Sequence, residues 1–232
     1  MKFKSAIIGL GQMGSALAKK LKEQSIVLYD VDVNKARNLS KNLSKQYVKS
    51  ADELNDVSYF FIVLPPGEVP SYIKSNRLKG VVFINMATDV NTSDLHQYIL
   101  PSQRVIGAKI LGQAKAIEMG LRPLVITETT NQKDFLTLSN LLSDFGKVIK
   151  CKESIVKDVN YYIAKETLRM FLGAKRKLQQ DNIGSNVIET ALKVVSIGTI
   201  LNFKGKDLDD YEKKIIRDLA NEDESINIGG VY

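Results

Sequence analysis

The sequence predicts an α/β protein, a doubly wound parallel sheet followed by a smaller all-helical region. Three observations carry this. Short apolar runs bounded by turn residues recur from residue 3 to residue 150, the pattern of strands buried on both faces. Segments with apolar side chains at helical spacing separate them, as βαβ units require. Beyond residue 153 long helical patterns replace the strands. The expected domains are therefore residues 1–152 and 153–232.

Composition narrows the function. The chain has 232 residues, 44% hydrophobic and 25% charged, ordinary values for a globular protein. No apolar run approaches the length of a membrane span. Met1-Lys2-Phe3-Lys4 leads directly into a strand and lacks a signal-peptide pattern, so a cytoplasmic location is expected. The single cysteine, Cys151, excludes an intramolecular disulfide, and the single histidine, His96, excludes a histidine metal cluster; no metal is expected. The net charge is +7. Its lysines alternate with acids, as in Asp209-Asp210-Tyr211-Glu212-Lys213-Lys214, which reads as solvated helix faces rather than a nucleic-acid surface. A positive field also favours an anionic ligand.

Residues 3–8 read as the first strand. Gly9-Leu10-Gly11-Gln12-Met13-Gly14 follows, with glycines spaced G-x-G-x-x-G. This is the dinucleotide-binding fingerprint: a tight turn at Gly9, close approach of a pyrophosphate at Gly11, and close helix–strand packing at Gly14. A helix is expected over residues 15–22, with Leu17 and Leu21 inward. The second strand, residues 26–29, ends at Asp30, about 20 residues past the first glycine, where a Rossmann-type fold places its ribose-binding acid. Asp30 would accept the ribose hydroxyls of NAD and repel the 2′-phosphate of NADP, whereas Lys35 and Arg37 could bind that phosphate. The expected cofactor is NAD(H) or NADP(H), with NAD(H) preferred.

Asp32 or Asn34 caps the next helix, which carries Ala36, Leu39 and Leu43 inward. Residues 57–64 form a buried strand whose exit, Leu64-Pro65, lies at the carboxyl edge of the sheet beside the cofactor. Residues 80–88 repeat the pattern and place Asn85 and Met86 near the nicotinamide. A helix starts at 92–95, with His96 on its surface. Residues 104–110 read as one strand. Lys109 follows it toward the cleft and is the first candidate for carboxylate binding or proton donation. Residues 124–127, a helix over 135–145, and residues 147–150 complete the sheet. Helices over 155–178, 187–203 and 208–219 make a thin core alone, so a homodimer through this region is expected.

The assembled pattern resembles pyrroline-5-carboxylate reductase. Ile8-Gly9-Leu10-Gly11-Gln12-Met13-Gly14-Ser15-Ala16-Leu17 is similar to that family's G-x-G-N-M-G-x-A opening. Residues 108–124 have the length and glycine position of its substrate segment, the helical tail fits its dimerisation domain, and Asn227-Ile228-Gly229-Gly230-Val231-Tyr232 looks like its S-P-G-G-x-T. The resemblance implies hydride transfer to a small, carboxylate-bearing imine or keto acid. It departs at Leu64-Pro65, where the family carries Lys-Pro, and at Lys109-Ile110-Leu111-Gly112-Gln113, where it carries M-P-N-T-P. A weaker likeness to β-hydroxyacid dehydrogenases sets their A-P-V-S-G-G on 108–113, with Leu111 for the serine. Their interdomain lysine and asparagine find the residue types in Lys157 and Asn160, one residue too close. Lys109 and Asn160 are thus the expected catalytic residues, with Tyr161 and Lys165 behind them. The broken substrate motifs leave an alternative open: a catalytically inactive dinucleotide sensor or partner-binding dimer.

Overall fold

The computed structural model describes residues 5–22, 25–203 and 208–222, so Phe3, at the start of the expected first strand, and the glycine pair of 227–232 lie outside the described residues. The first half alternates as predicted except at the third helix, which the sequence reading did not assign. β1 (Ser5–Ile8), α1 (Gln12–Lys20), β2 (Ile26–Tyr29), α2 (Val33–Leu43) and β3 (Gln46–Tyr47) are followed by β4 (Tyr59–Ile62), α3 (Val69–Ser75), β5 (Val82–Asn85) and β6 (Arg104–Gly107). These strands form one parallel sheet in the order β3-β2-β1-β4-β5-β6. The order reverses between β1 and β4, the topological switch point at which ligands bind in such sheets.

Strand alternation explains why both faces are apolar. Ile7, Leu28, Phe61, Ile84 and Ile106 pack into a core with Ala16 and Leu17 of α1 and Ala36 of α2. Ala6, Ile8, Val27, Phe60, Ile62 and Phe83 pack the other way, against Val69 and Ile73 of α3. Each fully buried large side chain contributes about 1.5–3 kcal/mol, and no alternating polar position interrupts them. Asp32 caps α2, its carboxylate accepting from the amides of Asn34 and Lys35.

Beyond β6 the structure departs from the sequence expectation. Residues 104–110 are not one strand. The chain leaves the large sheet at Ala108, and β7 (Lys109–Leu111) pairs antiparallel with β8 (Leu124–Thr127) in a separate three-stranded sheet. β9 (Lys147–Lys150) joins that sheet parallel to β8 rather than closing the large one. The strand-like run passes through the joint with only Lys109 interrupting it, so hydropathy does not register the change of pairing partner. The expected helix after Thr92 is a 3-10 turn over Ser93–Tyr98. α4 (Ala114–Glu118) packs on α1, and α5 (Gln132–Leu141) packs on β9.

Three long elements follow: α6 (Ser154–Gln180), α7 (Ser185–Asn202) and α8 (Asp210–Glu222). The chain divides into compact units Met1–Ile163 and Ala164–Tyr232, with the division inside α6. Among the described residues no helix is long and apolar enough to cross a membrane.

Candidate functional site

The glycine turn is built from contacts that exclude side chains. Gly9 has φ +92, and its amide donates to Tyr29 O at 3.0 Å. A Cβ there would lie 2.6 Å from Val63 O on the strand exit of β4. A Cβ on Gly14 would lie 1.9 Å from Gly9 O, so α1 sits directly on the turn. Gly11 is different: nothing lies within 4 Å of where its Cβ would be. It is the N-cap of α1 and offers no side chain to the helix. The first-turn amides of a helix have no intrahelical partner, and an anion over Gly11 would meet them together with the positive end of the helix.

Asp30 closes the far side. It is 8% exposed. Its Oδ2 accepts the Leu10 amide at 2.7 Å, and its Oδ1 accepts the Asp32 amide at 3.0 Å. Lys35 Nζ approaches Oδ2 to 3.5 Å. The carboxylate is thereby locked to the turn it faces. Arg37, the other candidate for a phosphate, is turned away: its Nε donates to Tyr47 Oη and its guanidinium reaches Asn34.

A cavity of about 560 Å3 opens here, lined by Gly9, Gly11, Asp30, Leu64 and Pro65 among the expected residues, with Lys35 beside them. Leu10 is buried behind the turn and Gly14 is buried within the first turn of α1, while Gln12 is exposed and Met13 packs on the core. Tyr29, Glu68, Ser71, Tyr72 and Ser75 also line the cavity. The sequence reading missed the four on or next to α3, because that seven-residue helix behind Pro66 is too short for a periodic signal.

Asn85 and Met86 lie elsewhere, at the end of β5: Met86 packs in the apolar core, and Asn85 sits in a buried polar cluster. Asn85 Nδ2 donates to Val90 O at 2.9 Å and Thr92 Oγ1 at 3.1 Å, and its Oδ1 accepts the Ala87 amide at 3.2 Å. Lys109 reaches the same loop from β7. It is 1% exposed, and its ammonium donates to Ala87 O at 2.6 Å and Val90 O at 2.7 Å. Glu153 Oε2 lies 3.8 Å from that ammonium and accepts Thr92 Oγ1 at 2.7 Å. Burial pulls the Lys109 pKa down to about 8, with Glu153 and Asp89 opposing the shift. Burial likewise raises Glu153. Neither Thr92 nor Glu153 was legible as a partner of Lys109, since their meeting depends on the turn at Ala108.

The start of α6 is stitched to the same region. Lys157 pairs with Asp89 at 2.9 Å, and Asn160 Nδ2 donates to Ile110 O at 3.0 Å. Tyr161 and Lys165 are exposed. His96 is exposed and lines a second cavity of about 430 Å3 with Glu128, Asp134 and Glu153.

Residues 4–89 match the family model described as NADP oxidoreductase, coenzyme F420-dependent. No curated protein matches the chain in sequence. Among solved structures, the chain is similar to pyrroline carboxylate reductase of Plasmodium falciparum with NADP bound: TM-score 0.68 and 15% identity, over 94% of this chain and 84% of that one. A pyrroline-5-carboxylate reductase of Coxiella burnetii aligns over 100% of this chain and 95% of its own, with TM-score 0.66 and 12% identity. A variant imine reductase of Myxococcus stipitatus in complex with NAD+ gives TM-score 0.61 and 16% identity over 87% and 74%. At these identities the likeness is one of fold.

Two outcomes follow from the geometry. Gly14→Ala should destabilise the protein by about 2–3 kcal/mol, from forced overpacking, whereas Gly11→Ala should leave the urea midpoint nearly unchanged. For Lys109, the folded-state pKa of about 8 lies below the ordinary 10.5, so the unfolded chain holds the proton more tightly between them. Its share of stability therefore rises with pH across that window. Lys109→Met should flatten that rise in urea titrations run from pH 7.5 to 10.5.

Proposed function

We propose that the chain is a cytoplasmic NAD(P)-dependent oxidoreductase acting on a small, carboxylate-bearing imine or keto acid. One observation carries this reading: the open cradle over Gly11, at the uncapped start of α1, in the same cavity as the fixed Asp30 carboxylate. That pairing suits a dinucleotide, with pyrophosphate at the helix and ribose at the acid. When bound, the nicotinamide supplies the hydride chemistry. The chain's own residues do the holding. Gly9–Gly14 receive the pyrophosphate, Asp30 accepts ribose hydroxyls, Leu64 and Pro65 border the cofactor, and Asn85 and Met86 stand at the nicotinamide end. Asn160, on the first long helix, serves as a hydrogen-bonding group toward the substrate.

Asp30 supports NAD(H) over NADP(H). A carboxylate already held by two amides cannot turn aside for a 2′-phosphate, and like charges at contact cost several kcal/mol. Residues 153–232 serve in this reading as a helical dimerisation and substrate domain. The exposed Leu168, Leu172, Val187, Val194 and Ile200 of α6 and α7 support a homodimer, because such a surface is costly in a monomer. The non-catalytic alternative, a dinucleotide sensor, draws on Lys109: its ammonium is covered by the 87–90 loop rather than presented to a substrate.

One set of assays separates the two. NADH should bind at least about tenfold more tightly than NADPH, a difference of about 1.4 kcal/mol, and Asp30→Ser should narrow that gap. Oxidation of NADH in the presence of 1-pyrroline-5-carboxylate or a 2-keto acid is the expected outcome for the enzyme. Tight cofactor binding without turnover of any of these substrates would favour the sensor.

A further inference from the structure

The loop that leaves β5 is held from beneath by a buried charge. An ammonium taken out of water costs several kcal/mol even after relaxation, and apolar residues of similar volume often serve stability as well or better. Stability alone therefore gives weak reason for Lys109. Direction gives a stronger one. Its Nζ donates to two carbonyls of one loop, Ala87 O and Val90 O, while Asn85 bonds the Ala87 amide and Val90 O from the other side. Glu153 holds Thr92, the end of the same loop, and stands 3.8 Å from the ammonium as its counter-charge. Six hydrogen bonds from Asn85, Lys109 and Glu153 thus fix six residues, 87–92, that form no regular helix or strand.

The place of this loop gives it a role. β5 lies beside β4, and β4 beside β1. A dinucleotide with its pyrophosphate over Gly11 and one ribose at Asp30 must extend its other half across the carboxyl ends of β4 and β5. Resting on the dinucleotide reading above, we propose that Lys109 and Glu153 are positioning residues that hold the 87–92 loop as the support for the nicotinamide half of the cofactor, with the adenosine half independent of them. Neither is a catalytic residue. Misplacing such a support by about 1 Å is enough to cost binding and rate.

The charges around Lys109 define its pH response. Glu153 and Asp89 face it, Lys157 pairs with Asp89, and Glu128 acts on Glu153; Asn85 and Thr92 are neutral. Loss of the Lys109 proton relieves the cost of burial but leaves Glu153 without its counter-charge. Stability and nicotinamide binding should therefore move in opposite directions as pH passes about 8. A merely structural lysine would change stability alone and leave the ratio of nicotinamide to adenosine binding independent of pH.

The test uses the full chain and two ligands that share the adenosine half, NADH and ADP-ribose, titrated by calorimetry. In wild-type protein the ratio of NADH to ADP-ribose affinity should fall between pH 7 and pH 9.5. In Lys109→Met, NADH should bind about tenfold more weakly, ADP-ribose should stay within about twofold of wild type, and the ratio should no longer depend on pH. Glu153→Gln keeps the shape and the Thr92 partner; it should weaken NADH selectively and decides the matter if Lys109→Met does not fold. Parallel loss of both ligands, no loss of either, or a pH-independent ratio in the wild type would overturn the proposal. Wild-type protein that binds NADH but shows these contrary patterns sinks this inference alone. Failure to bind either ligand sinks the dinucleotide reading and the inference with it.

Discussion

The first unit hangs on a steric constraint: three backbone segments meet where no side chain fits. Gly9 O stands where a Cβ on Gly14 would be, and Val63 O stands against Gly9. The turn after β1, the start of α1 and the exit of β4 are therefore fixed relative to one another within van der Waals contact. Asp30 adds the fourth segment by accepting the Leu10 amide. Everything that makes the cavity follows. The uncapped helix end, the acid and the Leu64-Pro65 loop converge because these contacts leave them no other arrangement. The two glycines that cannot carry a side chain serve packing, and the one with open space above it faces the cavity.

A second device works on different physics. The strands around β5 are apolar on both faces, and apolar packing is non-directional. It can bury the end of a strand but cannot aim the loop beyond it. The cluster of Asn85, Thr92, Lys109 and Glu153 supplies direction through hydrogen bonds in a low-dielectric setting, where they are strong if satisfied and costly if not. The cluster also bridges the two sheets, since Asn85 ends β5 and Lys109 begins β7. The joint at Ala108 is thus held by polar contacts on a segment that reads as plain strand.

The second unit obeys another rule. α7 carries apolar residues around much of its circumference, and many are exposed in the single chain. Such a composition is typical of a helix covered by another surface, and the homodimer proposed above would cover it. The dimer expectation has a separate ground, the thin core that three helices make alone.

How far the sequence reaches is clear from particular residues. The glycine spacing, the terminal acid of β2 and the buried strand runs are local patterns, and local patterns encode the alternation of strands with helices and the glycine turn. Asp32 as a helix cap belongs to the same class. Lys109 belongs to another. Its type and its place on an apolar run marked it as a group facing the cleft, yet its ammonium lies under the 87–90 loop. Thr92, Asp89 and Glu153 carry no local signal of their meeting with it, and α3 is too short to announce its four cavity residues. By itself the sequence determined the doubly wound parallel sheet and the dinucleotide-type turn, because turn chemistry and burial periodicity act between near neighbours. Only the tertiary structure decided where the chain leaves the large sheet and which carboxylate balances the buried lysine, because strand pairing and ion pairing join residues that no short window contains.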